Sequence, residues 1–163
     1  HDVMRASALV ATALWAGFWA PEAQALCIYH GVLYAKPTLG QEFLDSKWVI
    51  RAKVLSAQDH YSDAKDPWTT YGIAVQQVFK GNPPKGLVFF TFRNSGGFYL
   101  DNGMSHNIGG DYLLFLNSSE PSEGEPAAMR GTVSANYSCG QSKDWRDVSA
   151  SDLEALKSLS SRH

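Results

Sequence analysis

Three features of the sequence predict a mainly β fold: a small closed barrel of five to six strands, with a short helix before it and another helix at the C-terminus. Apolar residues alternate with a period of two over several separate stretches. Glycines, prolines and asparagines of turn type divide those stretches, and only two flanking segments combine a capping signature with helical spacing. The 163-residue chain carries 14 Lys and Arg against 16 Asp and Glu, a formal net charge of −2. Such a balance leaves no electrostatic footprint for a polyanion, so nucleic acid is not expected as a partner.

The first element is an export signal. Arg5 is followed by an apolar run over residues 6–19, then by Pro21 and the small-residue pattern Ala23-Gln24-Ala25. That order is the one of a secretory signal peptide over residues 1–25, cleaved after Ala25. The run is shorter than the ~20 residues a helix needs to cross a bilayer. His1, Asp2 and Val3 precede Met4 and are expected to stand outside the export signal. Cleavage leaves residues 26–163, 138 residues beginning at Leu26, as one domain in the periplasm or outside the cell, with no membrane attachment. Cys27 and Cys139 are the two cysteines of the chain, and both fall in this exported part. An oxidising compartment favours a disulfide between them over two buried thiols. On the chain-entropy account a loop of that span is worth up to ~4.7 kcal/mol, with about 2 to 4 kcal/mol more usual. The alternative, lipidation of Cys27, is disfavoured by Leu26, because a lipid-attachment cysteine follows a small residue.

Pro37 and then Thr38-Leu39-Gly40-Gln41 form a capping box, and Phe43 and Leu44 are the apolar face of a helix ending near Asp45. Trp48, Ile50, Ala52 and Val54 then alternate with Val49, Arg51, Lys53 and Leu55, a strand with one apolar and one mixed face. Residues 58–67 are polar and charged and predict a solvent-facing loop. Alternation resumes through Tyr71, Ile73 and Val75 but slips by one at Val78-Phe79, the mark of a β-bulge. Gly81-Asn82-Pro83-Pro84 is turn chemistry. Residues 87–92 are apolar on both sides, as a barrel wall between an interior and a covering layer requires. Asn94-Ser95-Gly96-Gly97, Asp101-Asn102-Gly103 and Gly109-Gly110 break the chain before a strand over 112–116. Residues 117–126, rich in Glu, Ser and Pro, predict a mobile acidic loop. A strand over 129–137 leads to Cys139. Ser151-Asp152-Leu153-Glu154 is a second capping box, opening a helix with the stripe Leu153, Leu156 and Leu159. These elements fit a barrel of the OB type better than a sandwich.

Four segments carry a resemblance: Asp45-Ser46-Lys47-Trp48-Val49-Ile50-Arg51-Ala52-Lys53-Val54, Val75-Gln76-Gln77-Val78-Phe79-Lys80-Gly81, Gly110-Asp111-Tyr112-Leu113-Leu114-Phe115, and Tyr137-Ser138-Cys139 followed by Trp145 and the last helix. Their order and spacing resemble the netrin-type domains, in particular the inhibitory domain of the tissue inhibitors of metalloproteinases and their bacterial relatives, over most of residues 26–163. The resemblance implies an OB-like barrel and an activity. In that family an N-terminal cysteine offers its α-amine and carbonyl oxygen to the catalytic zinc of a protease, a five-membered chelate in the position that water otherwise holds. Cys27 and Cys139 match the family's second N-terminal cysteine and its partner. The family's first cysteine would fall at Ala25 and its partner near Gly96 or Gly97, so that bridge is missing here as a pair. What the resemblance implies for this chain is a protease-binding ridge of Leu26, Cys27 and Ile28, with Leu26 presenting the amine and Cys139 as anchor.

Nothing in the sequence points to catalysis. A G-x-S-x-G elbow and an H-E-x-x-H helix are both missing from it. His30, His60 and His106 are too widely spaced for a local ligand set and are expected as surface or hydrogen-bonded side chains, so no metal or cofactor of its own is expected. Phe89, Phe90 and Phe92 are expected in the core rather than as a base-stacking platform, and Gly109-Gly110 as a turn rather than a phosphate loop. Asn117-Ser118-Ser119 and Asn136-Tyr137-Ser138 fit glycosylation acceptors. The expectation is a monomeric, exported, inhibitor-like protein-binding domain, with inhibition of a zinc metalloprotease implied by the resemblance. The alternatives are a netrin-type adhesion or scaffold module without zinc contact and, third, an OB-type nucleic-acid binder with salt-sensitive binding to single strands.

Overall fold

The structure, a computed structural model, describes residues 28–29, 32–33, 35–62, 65–92, 106–118, 133–135 and 139–162. Strands β1 (Ile28–Tyr29) and β2 (Val32–Leu33) pair antiparallel as a sheet of their own. Helix α1 (Leu39–Asp45) follows, then β3 (Trp48–Ser62), β4 (Lys65–Lys80), β5 (Gly86–Phe92), β6 (Asp111–Ser118), β7 (Val133–Ser134) and β8 (Lys143–Asp144). A 3-10 turn over Trp145–Asp147 leads to helix α2 (Ala150–Arg162). β3 bonds to β4 on one edge and to β6 on the other, β4 to β5, β5 to β7 in parallel, and β7 to β6. These five strands close into a barrel of mixed direction, and β8 adds to β6 as an extra strand. The mainly β barrel flanked by two helices is therefore the one the period-two pattern predicts, and it fits the OB type.

Alternation decides which side of the wall each residue serves. Ile50, Ala52 and Val54 of β3, Tyr71 and Ile73 of β4, Phe89 of β5, and Tyr112, Leu114 and Leu116 of β6 form the interior cluster. The intervening Val49, Leu113 and Phe115 face the other way, into a second cluster with Phe43 of α1 and Leu156 of α2. β6 is therefore buried continuously from Tyr112 to Leu116, with the barrel on one side and both helices on the other. Leu153 and Leu159 pack against the same second cluster, as the predicted stripe requires. Phe89 and Phe90 are both buried, as predicted for the core.

The capping box at Thr38 is present: its hydroxyl accepts the Gln41 amide, and the Gln41 side chain accepts the Thr38 amide. The bulge is also present, because Phe79 has no partner between the pairs Val49↔Lys80 and Ile50↔Val78. The extra residue lets Phe79 join the helix-side cluster.

Three expectations need correction. The stretch 58–67 is largely strand, since β3 runs on to Ser62 and β4 begins at Lys65. Its polar residues satisfy one another across the pair, Thr69 donating to Asp59 at 2.7 Å and His60 meeting Thr70 at 2.9 Å. Polarity there marks cross-strand hydrogen bonding rather than a loop. Helix α2 starts two residues earlier than its predicted box, because the cap is Ser149, whose hydroxyl accepts the Asp152 amide at 3.0 Å while Asp152 accepts the Ser149 amide at 3.2 Å. Asn117 and Ser118, placed by sequence in the acidic loop, close β6 against Ser134 and Val133. Of the predicted strand 129–137, residues 133–135 are described and Val133–Ser134 are strand. Residues 119–126 and the breaks at 94–97 and 101–103 lie outside the described residues.

Candidate functional site

Residues 1–25, Leu26 and Cys27 lie outside the described residues, and so does His30. Ile28, the third residue of the expected ridge, stands opposite Leu33 in the β1–β2 pair. Cys139, the expected anchor, lies part-buried in the turn before β8 and is disulfide-bonded. No cysteine among the described residues is free.

The backbone around Cys139 is tied down at successive residues. The Gln141 amide donates to the Glu42 carboxylate, and the Gln141 side-chain amide donates to the Pro37 carbonyl at 2.9 Å. Ser142, itself buried, accepts the Phe115 amide of β6 at 2.9 Å. Residues 139–142 are thus fastened both to the approach to α1 and to the barrel wall. Glu42 lies in the first turn of α1 and is 6% exposed. Burial pushes its carboxyl up to about 7; the Gln141 amide and Lys143 oppose the shift, and Asp45 adds to it. One signal for this residue was available in the sequence, since Leu39, Glu42 and Phe43 share one face of the helix and a carboxylate in an apolar stripe is out of place.

Helix α1 is seated by Lys80, whose ammonium donates to the carbonyls of Phe43, Leu44 and Ser46 at 2.8, 2.9 and 2.6 Å. A cation at a helix C-terminus satisfies carbonyls left without intrahelical partners. On the same helix-facing side of the wall, Arg51 pairs with Asp111 at 2.5 Å and stacks its guanidinium 4.2 Å from the Trp145 ring, which packs against the second cluster. The described residues of the segments that carry the family resemblance therefore hold the frame together by positioning the helices.

A second polar cluster occupies one end of the barrel. His106 Nε2 lies 2.9 Å from Asp59 Oδ2, the other carboxylate oxygen accepts the Thr69 hydroxyl, and the Tyr71 ring meets His106 edge-on. His60 stacks on Trp68 on the opposite face of the β3–β4 pair, with ring centroids 4.9 Å apart. Both described histidines are thus hydrogen-bonded, as expected from their spacing. The hydroxyl in this cluster donates to the carboxylate and not to the imidazole, which is the reverse of the polarity a nucleophile relay needs. Its structural effect is plain: it holds the turn at His106 and Asn107, both at positive φ, against β3. Sequence reasoning missed this pairing because Asp59 and His60 fell in the supposed loop. Among the described residues, no group of three or more His, Cys, Asp or Glu side chains is placed to hold a metal ion.

No protein-family model matches the chain, and no curated protein matches it in sequence.

Proposed function

We propose that the chain is an exported, OB-type protein-binding domain that meets its partner through residues 26–28, held on the barrel by a disulfide between Cys27 and Cys139. The observation that carries this reading is the mooring of residues 139–142, where a disulfide-bonded cysteine stands two residues from a side chain and backbone hydrogen-bonded to Pro37 and Glu42. A segment joined to that sulfur shares the rigidity of the frame, so little conformational freedom is lost when it enters a partner's cleft. The family resemblance adds the chemistry: the free α-amine and carbonyl of Leu26 as a chelate on the catalytic zinc of a metalloprotease, with Cys27 and Ile28 in the substrate cleft. No catalytic step is assigned to the chain itself.

The test begins with the mass of the exported protein, which gives its first residue and its thiol count. The protein is then titrated against a panel of zinc endopeptidases before and after acetylation of the α-amine. Inhibition that disappears on acetylation is the expected result. Inhibition indifferent to acetylation removes the chelate, and no inhibition at all turns the reading toward an adhesion or scaffold module.

A further inference from the structure

We draw no further inference here: the strongest candidate, the exposed apolar patch that Leu55 of β3 and Val88 of β5 make on either side of Gly72 of β4, carries nothing because no observation in the structure shows what covers it.

Discussion

Gly81 shows what a single missing Cβ does for this fold. The residue sits at φ +83°, and a Cβ there would meet Trp48 Cδ1 at 2.5 Å and the Lys47 carbonyl oxygen at 2.8 Å. Both the backbone conformation and the close approach demand glycine, so Gly81→Ala is expected to cost about 2–4 kcal/mol in urea unfolding. Thr91 presents the opposite case. Its hydroxyl is buried without a hydrogen-bond partner, and the residue is 1% exposed. Thr91→Val keeps the shape and removes that unmet group, and is expected to raise stability by about 1 kcal/mol. Glu42 makes stability depend on pH. Its folded pKa of about 7 lies above the ordinary 4.5, so the folded state binds the extra proton between those values. Its contribution is fully present below pH 4.5 and is lost as pH rises through 7, a fall of about 3 kcal/mol. Urea titrations at pH 5 and 8.5 should show most of that fall, about 2.5 kcal/mol, in the wild type and a flat response in Glu42→Gln.

At the scale of elements, the helices depend on contacts that helical propensity does not provide. Helix α2 is short and only Leu156 in it is fully buried, with Leu153 and Leu159 beside it on the second cluster. Leu156→Ala is expected to cost about 2–4 kcal/mol. Its cap separates two serines that look alike in sequence. Ser149 exchanges hydrogen bonds with Asp152, whereas Ser151 is an exposed residue within the helix. Ser149→Ala should therefore lose about 1 kcal/mol and Ser151→Ala almost nothing, as thermal unfolding of the two variants would show. Burial alone would raise the Asp152 carboxyl, but the Ser149 amide and hydroxyl and the Lys143 ammonium outweigh it and hold it below its ordinary value. The cap is thus strongest with Asp152 ionised and weakens as acid protonates it. The β3–β4 pair shows the same dependence on partners: its polar end is strand because Asp59, His60, Thr69 and Thr70 find one another across it.

For the whole molecule, closure is the decisive event. β3 finds β6 along Trp48↔Leu116 to Lys53↔Asp111, and β5 finds β7 in parallel, so the barrel has no continuous open edge between β4 and β6. The proposed disulfide would add a covalent tie from residue 27 to this closed frame. Peptide mapping without reductant should recover Cys27 joined to Cys139, and reduction should lower stability by about 2–4 kcal/mol. The mainly β class, the two flanking helices, the cap at Thr38, the bulge before Lys80 and the strand over 112–116 were all legible in the sequence. Each of these is a local period or a local turn, and sterics act on neighbours in the chain. Tertiary contacts, in turn, make residues 58–62 strand, make Ser149 rather than Ser151 the cap of α2, seat α1 on Lys80 and bury Glu42 against Gln141. Those outcomes depend on partners tens of residues away, and no local pattern encodes which distant backbone amide or carboxylate a side chain will meet once the barrel has closed.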